Sequence, residues 1–261
     1  MISRLPRFVG AGVNRPPLSL AERQLLSEGR ILIVGVGGLG SSAAFYLAAG
    51  GIGTIGLVDP EKVELSNLHR QVIYLTSDLG RLKVEAAKER INALNRRIEV
   101  NSHPVLLEND NAQELISNYQ LVIDGTDNVE AKFRLNDYCY FARVPLVHAG
   151  ARGFVGQVMT IIPGQSACLR CLFPDPPPME AMLSCQEAGI LGPLVGLIGL
   201  VQATEAVKII AGVGRPLHGR LLTCDASSLK WREVAISKNE ECPLCGAKPS
   251  IVLEEEDRES A

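Results

Sequence analysis

The chain has 261 residues, enough for one large α/β domain, and 46% of them are hydrophobic, as in a core-forming globular protein. A net charge of −3 and an aromatic content of 5% give no footing for nucleic acid or an anionic membrane as the main partner. Seven cysteines without an apolar leader argue against a secreted disulfide framework.

Residues 1–29 read as an N-terminal leader with Pro6, Pro16 and Pro17 and a short helical pattern from Leu20 to Leu26. Arg4, Arg7 and Arg15 are followed by no secretory h-region, so a cytoplasmic protein is expected. Ile31-Leu32-Ile33-Val34 is a continuous apolar run ending in glycines, as in a strand buried on both faces of a parallel sheet. A helix from Ser41 to Ala49 should stop at Gly50-Gly51. A second strand, Thr54 to Val58, ends at Asp59.

Val84, Ala87, Ile91 and Leu94 recur at helical spacing, and Ile98 to Val100 reads as a strand. Helix Ala112 to Tyr119, strand Leu121 to Ile123, helix Val129 to Phe141 and strand Pro145 to His148 follow. This alternation over residues 30–150 predicts an α/β fold with a doubly wound, Rossmann-like, mostly parallel sheet. Residues 151–246 change character. Strands at Phe154 to Ile162, Leu221 to Cys224 and Leu229 to Ile236 predict a C-terminal antiparallel extension. Between them lie a proline-rich loop, Pro174 to Pro178, and a long apolar helix, Pro193 to Ala211. That helix is preceded by glycines and carries Gln202, Glu205 and Lys208, so it is read as a core helix and not a membrane span. Residues 247–261 form an acidic tail, expected to be disordered.

Gly35-Val36-Gly37-Gly38-Leu39-Gly40 matches G-x-G-x-x-G between a strand and a helix, the context that cradles a phosphate. Asp59, at the end of the next strand, is placed to hydrogen-bond a ribose hydroxyl. These features alone say "nucleotide", and an NAD-dependent oxidoreductase is the ordinary reading. Val63 to Gln71, V-E-L-S-N-L-H-R-Q, then sits at the carboxyl edge of the sheet. Asn67 and Arg70 share a turn if this segment is helical. Arg70 and Lys83 suit a polyphosphate better than a nicotinamide. In Asp124-Gly125-Thr126-Asp127-Asn128, carboxylates and amide could hold Mg²⁺ through water. Asp127 is equally suited to cap the helix at Val129.

Cys168-Leu169-Arg170-Cys171 and Cys242-Pro243-Leu244-Cys245 are two C-x-x-C knuckles. Their four thiolates fit a closed, structural Zn²⁺ site that staples the distal segment to the middle of the chain, a better reading than a redox pair. Cys139 and Cys224 are read as core thiols. His69 is read as incidental and His148 as a strand residue near the sheet edge.

Taken together, I-L-I-V-G-V-G-G-L-G, V-E-L-S-N-L-H-R-Q, D-G-T-D-N, the two knuckles and S-C-Q-E-A-G-I-L-G-P (Ser184 to Pro193) make the chain resemble the MoeB/ThiF/HesA adenylyltransferases of the ubiquitin-activating-enzyme-like (E1-like) superfamily, from about Arg30 to Gly246. The resemblance implies adenylylation by Mg-ATP of the C-terminal glycine carboxylate of a small ubiquitin-fold sulfur carrier, releasing pyrophosphate, in molybdopterin or thiamine biosynthesis. It implies nucleotide contacts from Gly35, Gly37, Gly38, Gly40 and Asp59. Ser66, Asn67, Arg70 and Lys83 would surround the phosphates, with Asp127 serving the magnesium and Asn128 beside it. Cys185 matches a position that in some members forms a covalent adduct to the carrier; packing beside the long helix is the other role open to it.

Family members usually lend an arginine of an N-terminal R-Y-x-R-Q/H-I segment to the other subunit of a homodimer. Arg4, Arg7 and Arg15 are the candidates here, and none matches cleanly. Only 261 − 245 = 16 residues follow Cys245, so a separate sulfur donor, a cysteine desulfurase or a rhodanese, is expected. Adenylation of a peptide or of a tRNA-linked carboxylate is the neighbouring alternative, and the tRNA-modifying branch generally lacks the knuckles. A non-catalytic scaffold would show a damaged ATP motif, and none is seen.

Overall fold

The structure is a computed structural model that describes residues 18–177 and 189–252. Eight strands form one sheet: β1 (Arg30–Val34), β2 (Thr54–Val58), β3 (Glu99–His103), β4 (Leu121–Asp124), β5 (Leu146–Arg152), β6 (Val155–Ile161), β7 (Arg220–Asp225) and β8 (Lys230–Ala235). Their order is β3-β2-β1-β4-β5-β6-β7-β8. β1 to β5 pair in parallel, and β6 to β8 add antiparallel. Chain order reverses between β1 and β4, which opens a crevice at the carboxyl ends of these strands.

β1 shows why the sheet needs cover on both faces. Ile31 and Ile33 belong to one hydrophobic cluster, Leu32 and Val34 to the other, and all four are buried. The first cluster is completed by α1 (Leu20–Glu28), α2 (Gly38–Gly50), α3 (Lys83–Leu94) and α7 (Gly192–Ala211). The second takes in α4 (Asn109–Ser117), α5 (Val129–Phe141), α6 (Leu169–Leu172) and the cysteine knuckles. By length and composition α7 could cross a membrane. In this fold it buries Leu194, Val195, Ile198, Ala203 and Ala206 against α2 and the sheet. Its buried Glu205 accepts hydrogen bonds from Thr160 Oγ1 at 2.7 Å and the Leu217 amide at 2.6 Å, fixing the helix to β6 and to the approach of β7.

Several sequence expectations need adjustment; β3 runs on to His103, past the expected end at Val100, by pairing with β2. β5 runs on to Arg152, because Leu146 to Arg152 pairs residue for residue with Ile161 to Val155. Tertiary pairing thus overrides the weak strand propensity of Ala149-Gly150-Ala151. This places His148 in an interior strand, buried, and not near the sheet edge. α4 starts at Asn109, since Glu108 and Asn111 cap it reciprocally. Residues 62–82 form no α-helix; they wind through 3₁₀ turns at Leu65–Asn67 and Thr76–Asp78.

Candidate active site

The glycine loop leaves β1 and turns into α2. Gly35 has φ +85°, and a Cβ there would lie 2.6 Å from the backbone of Gly125. A Cβ on Gly40 would lie 1.9 Å from Gly35 O. The loops after β1 and β4 therefore touch backbone to backbone, which only glycine permits. Val36 is pinned on both sides: its amide donates to Asp59 Oδ2 at 2.8 Å, and its carbonyl accepts from Tyr74 Oη at 2.8 Å. Asp59 also accepts from the Glu61 amide at 2.9 Å. Burial, the largest effect, pushes the Asp59 carboxyl above its usual range despite Lys83 and the two amide donors.

Around this loop lies a cavity of about 350 Å³. Its wall includes Gly35, Gly37, Gly38, Asp59, Arg70, Lys83, Asp127 and Asn128, so eight separately read residues meet in one place. Gly40 lies behind the wall, packed on Gly35. Ser66 and Asn67 also stand outside the wall. Ser66 is exposed with its hydroxyl 3.4 Å from Glu64, and the buried Asn67 holds the backbone turn to Arg70 and Gln71. Cys185 and the N-terminal Arg4, Arg7 and Arg15 lie outside the described residues.

Four cations line the cavity, Arg70, Lys83, Lys132 and Arg134, and the two read from the sequence, Arg70 and Lys83, have local partners. Lys83 is buried at the start of α3 and pairs with Glu61 at 2.5 Å. Arg70 donates to Ser66 O at 3.0 Å, and its guanidinium sits 2.8 Å from His69 Nε2. Asp127 is exposed and has no hydrogen-bond or ion-pair partner among the described residues. The cap of α5 is Asn128, whose Oδ1 accepts from the Ala131 amide at 2.7 Å, and not Asp127.

Asp124 is unavailable to a ligand. It is fully buried, receives Lys132 Nζ at 3.2 Å on each oxygen, and lies 2.7 Å from His148 Nδ1. Thr126 donates to it from both amide and hydroxyl. Burial alone would raise its pKa; Lys132, His148 and Thr126 outweigh it and hold the carboxyl at about 2. Lys132 also donates to Thr126 O and Ala149 O, each at 2.7 Å. The lysine thereby ties the loop after β4 to β5. Sequence reasoning missed Lys132, whose only signal is a lysine one helical turn inside α5.

The sulfurs of Cys168, Cys171, Cys242 and Cys245 all lie within 4.8 Å of one another. Four of the sulfur–sulfur spacings run from 3.3 to 3.9 Å. A tetrahedron with metal–sulfur bonds of about 2.3 Å has sulfur–sulfur edges of roughly 3.8 Å, so the quartet is compatible with a metal. The amides of Asn239 and Cys245 each point at a cluster sulfur at 3.4 Å. Arg170, inside the first knuckle, forks onto Asp137 of α5 at 2.8 and 2.7 Å and lies over the Phe133 ring. The knuckle is thus bolted to the helix that carries Asp127 and Asn128 at its other end.

A model of the ThiF family matches residues 13–244. The chain belongs to the ThiF family. Within it, the sulfur carrier protein adenylyltransferase of Thermus thermophilus is 40% identical over 240 residues, 90% of this chain and 89% of that protein. The adenylyltransferase and sulfurtransferase MOCS3 of Drosophila sechellia is 43% identical over 237 residues, 90% of this chain and 52% of that protein. The chain thus spans about half the length of the MOCS3 relatives. Among solved structures, Escherichia coli MccB with ATP superposes with a TM-score of 0.78 at 21% identity, covering 87% of this chain and 69% of that one. That likeness shows the fold: a Rossmann-like sheet with an antiparallel C-terminal extension.

Proposed function

We propose that this ThiF-family chain uses ATP to adenylylate the C-terminal glycine carboxylate of a small ubiquitin-fold sulfur carrier. The observation that carries the proposal is the convergence of the glycine loop, Asp59, Arg70, Lys83 and Asp127 on one cavity at the sheet's switch point. The name of the Thermus thermophilus relative supplies the substrate class.

The carrier's carboxylate oxygen attacks the α-phosphorus, and the bond from that phosphorus to the β-bridging oxygen breaks. The products are the acyl-adenylate and pyrophosphate. A carboxylate is already a nucleophile at neutral pH, so no side-chain base is required. The difficulty is bringing two anions together, which oriented donors and cations relieve. The free amides at the start of α2 face the phosphates. Lys83 exchanges the exposed Glu61 for a phosphate oxygen, and Arg70 turns from His69 and Ser66 O to do the same. Asp59 receives the ribose, and Val105 to Leu107 with Leu135 give the base an apolar wall. Asp127, exposed and without a partner among the described residues, suits a water-shelled Mg²⁺, which when bound would supply charge neutralisation at the triphosphate. Zn²⁺ is the fitting ion for four thiolates, with a structural role. Homodimer formation, a separate sulfur donor and a cytoplasmic setting complete the reading. A role for Cys185 in a later acyl transfer belongs to the same proposal.

Intact-mass analysis tests it. A carrier incubated with the protein, ATP and Mg²⁺ should gain one AMP at its C-terminus, removable by hydroxylamine. No gain on any glycine-terminated carrier would overturn the proposal.

A further inference from the structure

Gln71 closes the V-E-L-S-N-L-H-R-Q motif and has no role in the account above. It lines the cavity, yet only 3% of its surface is exposed. Its Oε1 is fully buried without a hydrogen-bond partner among the described residues. Its Nε2 lies 3.6 Å from the position a Cβ would take on Gly37, the residue that caps α2. The unmatched oxygen is an acceptor that an oxyanion does not satisfy; the end nearest the glycine loop is Nε2, a donor with no hydrogen-bond partner among the described residues.

The backbone around Gln71 is fully tied, so the side chain is held in place. Its amide donates to Asn67 O at 3.0 Å, and its carbonyl accepts from the Tyr74 amide at 3.2 Å. Tyr74 in turn holds Val36 of the glycine loop, so the Gln71 turn and the phosphate loop form one rigid body. The amide is uncharged, and its Nε2, the end nearest the glycine loop, offers two N–H donors. An oxyanion between Gly37 and the start of α2 is the ligand this geometry suits.

We propose that Gln71 is a direct ligand contact that donates a hydrogen bond to the α-phosphoryl group of the bound nucleotide, the group at which the carboxylate attacks. The proposal rests on the adenylylation reading. It assigns Gln71 the part of an uncharged donor, distinct from Arg70 and Lys83, which carry charge to the triphosphate. An aligned donor at the reacting phosphoryl group contributes most when charge builds in the transition state.

The test compares wild type, Gln71→Leu and Gln71→Glu. Binding of ATP, AMP and adenosine is measured by calorimetry, pyrophosphate exchange with the carrier by radiolabel, and stability by thermal unfolding. Gln71→Leu removes the unmatched oxygen at nearly constant shape, so its unfolding temperature should equal or exceed that of wild type. Its exchange rate should nevertheless fall by about 10²-fold, the loss typical of a removed oxyanion donor. Its affinity for AMP and ATP should fall about tenfold, with adenosine unchanged. Gln71→Glu, which replaces donors with an anion, should lose more affinity for AMP than Gln71→Leu does. Wild-type exchange and AMP affinity in Gln71→Leu would overturn the assignment while leaving adenylylation standing. Equal loss of adenosine and AMP binding would also overturn it, since the residue would then act on the pocket as a whole. A wild-type protein that binds no ATP would remove the underlying reading, and this proposal with it.

Discussion

Asp124→Asn removes one charge from the interior while keeping the side chain's shape. The variant leaves Lys132, whose side chain is 12% exposed, facing a neutral amide. At 3.2 Å and an effective dielectric of 20, the lost attraction is about 5 kcal/mol. Lys132 retains Thr126 O and Ala149 O, so part of that is recovered. The carboxyl's displacement from 3.8 to about 2 corresponds to roughly 2 kcal/mol. The expected net loss at pH 7 is therefore about 2–4 kcal/mol, the scale of a broken buried pair. Because the folded carboxyl titrates below the unfolded one, its stabilisation is complete above pH 3.8 and fades as pH falls toward 2. Urea unfolding followed by fluorescence should show a gap between wild type and variant that persists from pH 7 to pH 5 and narrows only below pH 4. A gap under about 0.5 kcal/mol at pH 7, the size of an ordinary surface change, would refute the reasoning. So would a gap that closes between pH 7 and pH 5, where a carboxyl this low does not titrate.

Cys168→Ser should abolish a stoichiometric zinc content, measured by inductively coupled plasma mass spectrometry. It should also lower the unfolding temperature, because the quartet ties segments 74 residues apart. Gly40→Ala puts a methyl group 1.9 Å from Gly35 O, so the phosphate loop must shift. Carrier-dependent exchange should drop about 10²-fold, the cost of misplacing a reacting group by roughly 1 Å. Asn128→Ala removes the α5 cap and should cost about 1 kcal/mol in urea unfolding. Its exchange activity should fall less than that of Asp127→Ala, separating the capping residue from the carboxylate that faces the cavity.

The parallel half of the fold was legible because β1, β2 and β4 are short apolar runs and its helices carry apolar residues three and four apart; β3, Glu-Val-Asn-Ser-His, was read only in part, because its last three residues are polar. The β1 run and the α5 boundaries follow directly from that pattern. The extension of β5 to Arg152 was hidden, because Ala149-Gly150-Ala151 becomes strand only through its partner β6. In the site, the glycine loop, Asp59, Arg70, Lys83 and the cysteine quartet were readable as motifs whose spacing reflects their chemistry. The division of labour between Asp127 and Asn128 was not, since either side chain can cap a helix and only the path of the chain chooses. Ser66 and Asn67 share a motif with Arg70, yet the 3₁₀ turn at Leu65–Asn67 sets them behind the cavity wall. Gln71 and Lys132 were missed because each stands out only through burial: an unmatched amide and a lysine enclosed by a carboxylate and two carbonyls leave no spacing in the sequence.

Carrier-dependent ATP–pyrophosphate exchange tests the central claim most directly, with candidate sulfur carriers added in turn to wild type and to Asp127→Ala. The account predicts exchange with a glycine-terminated carrier and its loss by about 10²-fold or more in the variant. Folded, metal-loaded protein that binds ATP yet exchanges with no carrier would contradict it, as would binding of NAD without binding of ATP.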